Sequence, residues 1–264
     1  MSLYRQASLM NGEEQVQFLN KAIQAYYAAL NGWNKTDNST QWALAQLNLS
    51  IALESLAKIT DSQKRQTLLD EGINASQAAL SVYSRENNSL NWAKAQHLLG
   101  TFLFYKEFPS DAALQIETIK AAINAFRSAL EIFTKENSMV DWAQTQYELG
   151  NAITSLFELL QQNITPDLVV SAIKAYQSAL EVYTSENNPS SWARANIGIA
   201  FTYHVSTLFM EDKNKQIALL HEAHRILDSV LISHISNTTR EEHIFPTMLN
   251  QRIKDDLDKI ENIS

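Results

Sequence analysis

The histidines near the carboxyl end come nearest to the spacing of a metal site. His221 and His224 stand three residues apart in the stretch H-E-A-H, and His234 and His243 follow. Three residues are close to one turn of a helix, so the first two rings can share a face, as metal ligation requires. A third and a fourth ligand are not evident from the spacing. The pattern is more typical of a helix that faces solvent or a partner.

Composition and motifs argue against most other chemistry. The chain has no cysteine, which excludes disulfides, thiol nucleophiles and cysteine-ligated zinc, and which fits a reducing compartment. It has no phosphate-binding loop, no G-x-S-x-G and no H-E-x-x-H motif. We therefore predict a protein that is not an enzyme and needs no cofactor or metal, with a metal-dependent enzyme centred on the late histidines as one alternative.

Charge and hydropathy narrow the partners and the location. The formal net charge is −8, so phosphate backbones are repelled overall and nucleic acid is not predicted, although a helical-repeat RNA binder remains an alternative. No apolar run approaches the roughly 18 residues of a membrane-spanning helix, and the N-terminus lacks the apolar stretch of a signal peptide. These features predict a cytoplasmic protein without a membrane partner.

One phrase of the sequence recurs every 50 residues. A core of tryptophan, alanine, an amide, leucine or isoleucine and a small residue keeps one register through four copies. The tryptophans of this register are Trp42, Trp92, Trp142 and Trp192. Self-similarity at such a period is the mark of a solenoid built from repeated supersecondary units.

Each period contains two helical patterns. Apolar residues step by three or four after the tryptophan and again in the second half of the period, as expected for two amphipathic helices. Asn87, Asn137 and Asn187 stand where a left-handed C-cap is expected, and Asn188-Pro189 is typical of an N-cap followed by proline at the first helical position. We predict an all-α fold of helix hairpins, with each tryptophan buried between neighbouring hairpins.

The phrase L-G-N-A at 149–152, followed by A-I and then Y and A-L within 172–180, resembles the tetratricopeptide repeat (TPR). The period of 50 is longer than the usual one of about 34 and resembles the long variety found in cyanobacterial multidomain proteins. The resemblance implies a right-handed α-solenoid of about ten helices. It also implies a concave surface that is lined by the first helix of each hairpin and binds protein segments.

The whole chain, 1–264, fits one such array. We predict its parts as an opening helix at 13–34, hairpin units at 39–87, 89–137, 139–187 and 189–236, and a capping helix at 246–262 with a charged outer side.

The predicted binding site is the row of first-helix positions whose chemistry changes from copy to copy while the core positions stay constant. Large apolar or aromatic side chains recur in this row, which favours a site over a plain exposed surface. The predicted groove residues are Lys94, His97, Phe104, Tyr147, Asn151, Arg194, Phe201 and His204.

These residues indicate the kind of partner. Lys94, His97 and Arg194 place positive charge inside an acidic protein, so we predict an acidic or amphipathic peptide or protein segment. The row does not match the TPR carboxylate clamp, because Leu47 and Ile51 occupy positions that need lysine and asparagine. We predict an interaction scaffold, and a regulatory module that acts with a separate effector enzyme is the alternative.

Overall fold

The computed structural model describes residues 12–108, 110–160, 165–234 and 240–261, and in these ranges every regular element is an α-helix. None of the helices there is long and apolar enough to cross a membrane. The ten described helices are α1 (Glu13–Gly32), α2 (Ser39–Ala57), α3 (Ser62–Leu80), α4 (Arg85–Tyr105), α5 (Ala112–Leu130), α6 (Met139–Leu160), α7 (Pro166–Leu180), α8 (Pro189–Thr207), α9 (Lys213–His234) and α10 (Arg240–Glu261). The predicted all-α fold is confirmed.

The chain forms two compact units, Met1–Thr134 and Lys135–Ser264, and each is built from hairpins. In the first unit α2 packs on α3 and α4 on α5, and in the second α6 packs on α7 and α8 on α9. Within a unit the first helices of successive hairpins also touch, α2 with α4 and α6 with α8. This is the neighbour-to-neighbour packing of an α-solenoid. That the chain is one continuous right-handed array stays a prediction.

Aromatic side chains of the second helices fill the space that glycines leave on neighbouring helices. In the second unit Tyr176 of α7 is 1% exposed and lies between Gly150 of α6 and Gly198 of α8. A Cβ atom at Gly150 would stand 2.8 Å from this ring, and one at Gly198 would stand 2.5 Å from it. In the first unit Gly100 of α4 faces the ring of Phe126 in the same way. The Leu-Gly pair of the repeat is therefore required by close packing.

The recurring asparagine caps the loop, and its predicted left-handed C-cap role is wrong at Asn87. Asn87 is the third residue of α4, where its Oδ1 accepts from the Ser84 amide at 2.7 Å and its own amide donates to Ser84 Oγ at 3.3 Å. Its Nδ2 also donates to the Val82 carbonyl at 2.8 Å. Thr184 and Asn187 repeat these three bonds. One amide thus satisfies both sides of the turn in a capping box. The backbone departs from helical geometry at Asn88 (φ −158°, ψ 70°), so the continuous part of α4 starts after that residue.

The tryptophans are less deeply buried than predicted. Trp92 is 9% exposed, whereas Trp42, Trp142 and Trp192 are only half-buried. In the second unit Trp142 and Trp192 pack against a small cluster around Ala179. Because the alanine contributes only a methyl group, one edge of each indole stays in solvent.

The capping helix lies where the next first helix would lie, because α10 packs on both α9 and α8. It begins at Arg240, six residues before the predicted start, and continues through Pro246, which removes one main-chain hydrogen bond without ending the helix. Its predicted apolar stripe is confirmed, since these residues are at most 6% exposed: Leu249, Ile253 and Leu257.

The ring–glycine packing predicts opposite effects of two matched substitutions. Gly198→Ala would place a methyl group against the immobile Tyr176 ring and should lower the free energy of unfolding by about 1–3 kcal/mol. Gly32→Ala is the control, because a Cβ there meets no atom within 4 Å, and it should stabilise by about 0.4–1 kcal/mol. Urea denaturation measures both, and equal effects would contradict the packing argument.

Candidate functional site

The first unit places three of the predicted groove residues on α4. Lys94, His97 and Phe104 are all half-buried. The His97 ring lies 5.9 Å from that of Phe126, and the Phe104 ring lies 4.8 Å from that of Tyr105. The two aromatic side chains are thus held by packing within the unit and keep one side accessible.

The second unit brings Tyr147, Asn151 and Arg194 together where α6 and α8 lie side by side. Tyr147 and Asn151 are half-buried and Arg194 is exposed. Tyr147 meets the edge of the Tyr176 ring at a centroid distance of 6.0 Å. Burial raises the pKa of Tyr147, while the nearby positive charge of Arg194 acts in the opposite direction. These three side chains form a partly accessible surface of mixed chemistry.

Phe201 and His204 lie against the capping helix. The Phe201 ring lies 6.1 Å from that of Phe245 on α10. His204 is 2% exposed, and its Nε2 lies 3.0 Å from Asp256 Oδ2 of α10. Burial opposes the ionisation of Asp256, but hydrogen bonds from His204 and Lys259 hold its pKa below the ordinary value. α10 thus encloses His204, whereas Phe201 packs beside α10 and stays half-buried. The role of these two residues as partner contacts stays a prediction.

A buried carboxylate lies directly behind the surface formed by Tyr147 and Asn151. Glu148 of α6 is 4% exposed. Gln144 Nε2 donates to its Oε1 at 2.9 Å, and Asn151 Nδ2 approaches its Oε2 at 3.4 Å. A buried charge is costly unless donors surround it, and two half-exposed amides supply them here.

The hydrogen bonds continue from these amides into the core of the second unit. Asn151 Oδ1 accepts from the Tyr176 hydroxyl at 2.9 Å, and Gln144 Oε1 accepts from the Tyr183 hydroxyl at 3.3 Å. Behind them the Thr154 and Thr202 hydroxyls of α6 and α8 lie 2.9 Å apart. We call this set the α6 polar network: Gln144, Glu148, Asn151, Thr154, Tyr176, Tyr183 and Thr202.

The network keeps its tyrosines protonated. Burial is the main cause that raises the pKa of Tyr183 to about 12, and the negative charge of Glu148 adds to it. The pKa of Tyr176 is raised further, again chiefly by burial. Each tyrosine hydroxyl is therefore a hydrogen-bond donor near neutral pH, to Asn151 Oδ1 from Tyr176 and to Gln144 Oε1 from Tyr183.

The repeat does not need this network to fold. In the first unit the positions that correspond to Glu148, Tyr176 and Tyr183 by the 50-residue register carry apolar side chains. They are Leu98, Phe126 and Phe133, which are 4%, 0% and 1% exposed. The α4–α5 hairpin thus fills these three positions with apolar side chains, although Thr101 is polar at the Asn151 position. The other hairpin of the first unit has Asn48, Ser76 and Tyr83 there. The buried carboxylate of Glu148 therefore calls for another explanation.

Sequence reasoning found Tyr147 and, within the network, Asn151, but it missed Glu148, Tyr176 and Tyr183 behind them. Glu148 could have been noticed from the sequence, because the other three copies have uncharged residues at its position of the repeat, namely Asn48, Leu98 and Gly198. The hydroxyls of Tyr176 and Tyr183 gave none, because tyrosine and phenylalanine alternate freely in an aromatic core column.

The late histidines are bound by hydrogen-bonding partners of their own. His224 Nδ1 lies 2.6 Å from Asn250 Oδ1, and His221 Nε2 lies 3.3 Å from Glu261 Oε1. Among the described residues no three histidine, aspartate or glutamate side chains are grouped as a metal site would require. The side chains of His234 and His243 lie outside the described part of the chain.

Comparison with known proteins adds no family to this geometry. No protein-family model matches the chain, and no curated protein matches it. The candidate site is therefore argued from the structure of the second unit and from its contrast with the first.

Two reciprocal substitutions test whether Glu148 serves the fold. Glu148→Leu installs the residue of the corresponding Leu98 position and should leave the free energy of unfolding within about 1 kcal/mol of the wild type, or raise it. Leu98→Glu instead buries a carboxylate near Phe126 and should cost about 3 kcal/mol or more. Urea denaturation compares them, and a similar loss in both variants would make Glu148 a structural residue.

The raised pKa of Tyr183 predicts a specific loss of stability at alkaline pH. Its hydroxyl ionises near 10 in the unfolded chain but at about 12 in the folded protein. The stabilisation is therefore complete below about pH 10 and is lost as the pH rises through about 12. Tyr183→Phe has no group to ionise, so its urea midpoint should fall less than that of the wild type across this range. Parallel curves would show that Tyr183 is not protected.

Proposed function

We propose that the protein is a TPR-like, non-enzymatic interaction scaffold of the cytoplasm that binds an acidic or amphipathic segment of another protein along its first helices. The observation that carries this proposal is the α6 polar network. It places a buried carboxylate, Glu148, among six other polar side chains, whereas the α4–α5 hairpin of the first unit has apolar residues at the positions of Glu148, Tyr176 and Tyr183. Polar groups that a fold does not need are commonly kept for binding, at some cost in stability.

The accessible side of the network is suited to a polypeptide. Gln144 and Asn151 are half-exposed amides that both donate and accept, and Tyr147 beside them offers an apolar ring with a hydroxyl. Tyrosine at the centre of a contact surface often contributes much of the binding energy. Since Glu148, Tyr176 and Tyr183 fix both amides, little side-chain freedom remains to be lost on binding.

The charges near the first helices support an acidic segment. Arg194 is exposed on α8 and Lys94 is half-buried on α4. The two residues occupy the same position of the 50-residue register, and the other two copies have uncharged residues there, Leu44 and Gln144. In a protein of net charge −8, two isolated cations attract an acidic partner locally and raise its rate of association.

Charge reversal tests the proposed surface. Lys94→Glu combined with Arg194→Glu should abolish capture of the native partner from cell lysate, because repulsion replaces attraction. The melting temperature should change little, since exposed charges contribute little to stability. Quantitative mass spectrometry of captured proteins provides the measurement, and wild-type capture should weaken as salt is raised.

The matched control is Lys120→Glu combined with Lys174→Glu. It makes the same change in net charge, also with one residue in each unit, but on the second helices α5 and α7, where both side chains are exposed. It should retain the partner. Loss of capture in both double variants would indicate a general charge effect, and retention in both would place the binding surface elsewhere.

A further inference from the structure

The first unit has an aromatic face between α1 and α2 that its other helices leave accessible. Among the described helices of this unit, α1 packs mainly on α2. Between them lies an open cleft of about 270 Å³. We call it the α1–α2 face, and its residues used below are Tyr26, Ala29, Trp33, Leu44, Ala45 and Asn48.

The exposure of this face is an exception within the chain's own repeats. Trp33 is 39% exposed, whereas the aromatic residues at the same place after the later second helices are at most 5% exposed, namely Tyr83, Phe133 and Tyr183. Leu44 is 44% exposed. The position is therefore a buried aromatic contact after α3, α5 and α7, whereas it is exposed after α1 and also at the end of α9, where it is Ser233.

The second unit shows what covers such a face. There α7 and α8 stand in the places of α1 and α2, and α6 packs on both of them. α6 covers Tyr183 through the bond of its hydroxyl to Gln144, and it covers Tyr176 through Tyr147, Asn151 and Gly150. The occupant of this face is therefore an amphipathic helix of the α6 kind.

The α1–α2 face and the α7–α8 face share the residues that receive this helix. Tyr26, Ala29 and Ala45 correspond to Tyr176, Ala179 and Ala195 by the 50-residue register. Trp33 replaces Tyr183 and keeps a polar hydrogen on an aromatic ring, so it can donate to an amide like that of Gln144. The two faces therefore share these aromatic and alanine residues, and they differ where Asn48 replaces Gly198 and Leu44 replaces Arg194.

The size of Tyr26 specifies one feature of the occupant. In the later hairpins, a small residue of the first helix lies opposite the side chain that corresponds to Tyr26, and its size matches the size of that side chain. Ser50 Oγ meets Ser76 Oγ at 3.0 Å, and Gly150 lies against the larger Tyr176. A ring at Tyr26 therefore calls for glycine, because any Cβ would collide with it, as at Gly150.

We propose that the α1–α2 face binds an amphipathic helix of a partner protein, with an apolar stripe like that of α6 and a glycine opposite Tyr26. This surface shares Leu44 of α2 with the row of first-helix positions that holds Lys94 and Arg194, and it goes beyond that row to Tyr26 and Trp33 at α1. It selects for shape and apolar area, in the manner of a helix that docks into a groove. The Asn48 and Trp33 side chains add polar contacts at its edges.

The test uses the full-length protein and a fluorescein-labelled synthetic peptide of residues 139–160, which is the α6 sequence. Fluorescence anisotropy should show saturable binding to the wild type. Trp33→Ala should weaken it by about tenfold or more, because Tyr183 at the same place is buried beneath α6. Leu44→Glu should weaken it by a smaller factor, because Arg194 at the same place stays exposed beside α6. A peptide with Gly150→Leu should lose a factor similar to that of Trp33→Ala, because its side chain meets Tyr26.

The matched control is Leu114→Glu, since Leu114 on α5 has the same exposed fraction as Leu44, 44%. It should bind the peptide like the wild type, and circular dichroism should show every variant folded. Three results would overturn the proposal: no saturable binding, binding that is insensitive to both Leu44→Glu and Trp33→Ala, or equal binding of the Gly150→Leu peptide. Binding that requires removal of residues 1–11 would also overturn it, because the chain's own N-terminus would then be the occupant.

Discussion

The second unit depends on one close contact, the Tyr176 ring held between Gly150 and Gly198. Protein interiors are packed densely, so a ring that fills the space of two absent side chains has little room to move. Its position fixes the distance between α6 and α8 and directs its hydroxyl to Asn151. The polar network can therefore exist only where this ring is a tyrosine. The first unit keeps the same contact between Gly100 and Phe126 and has no hydroxyl at that point.

The network gives the two units different properties on a shared frame. In the α4–α5 hairpin of the first unit, the residues at the positions of Glu148, Tyr176 and Tyr183 are apolar core residues. In the second, Glu148 is buried with amide donors whose other groups remain accessible, so the interior charge is linked to the surface by two hydrogen bonds. A ligand that bonds to Gln144 or Asn151 thus alters the surroundings of Glu148. Such a connection gives binding an effect on the core, which an apolar filling does not allow.

The fold could be predicted from the sequence because the packing residues recur at a constant spacing, and that spacing reflects contacts each hairpin makes with its neighbours. The site was only partly predictable, because exposure depends on the residues opposite. His204 occupies a variable position of a first helix, yet α10 buries it, and α10 lacks the repeated phrase. The role of Asn87 was misjudged for a similar reason, since a capping box depends on the partner Ser84 as much as on the asparagine. Burial and hydrogen bonding depend on both residues of a contact. A helical pattern in the sequence describes a single helix, so it does not show which residue lies opposite.

The capping loop has a consequence for how such a chain changes its length. The bonds of Ser84 and Asn87 recur at Thr184 and Asn187, so the loops before α4 and α8 have the same local structure. A segment of DNA cut within this loop and copied once encodes whole hairpins, and both junctions of the product are loops that already fold correctly. Duplication and deletion in steps of 50 residues are therefore tolerated more readily than insertions of any other length, and binding surfaces can be gained or lost one hairpin at a time.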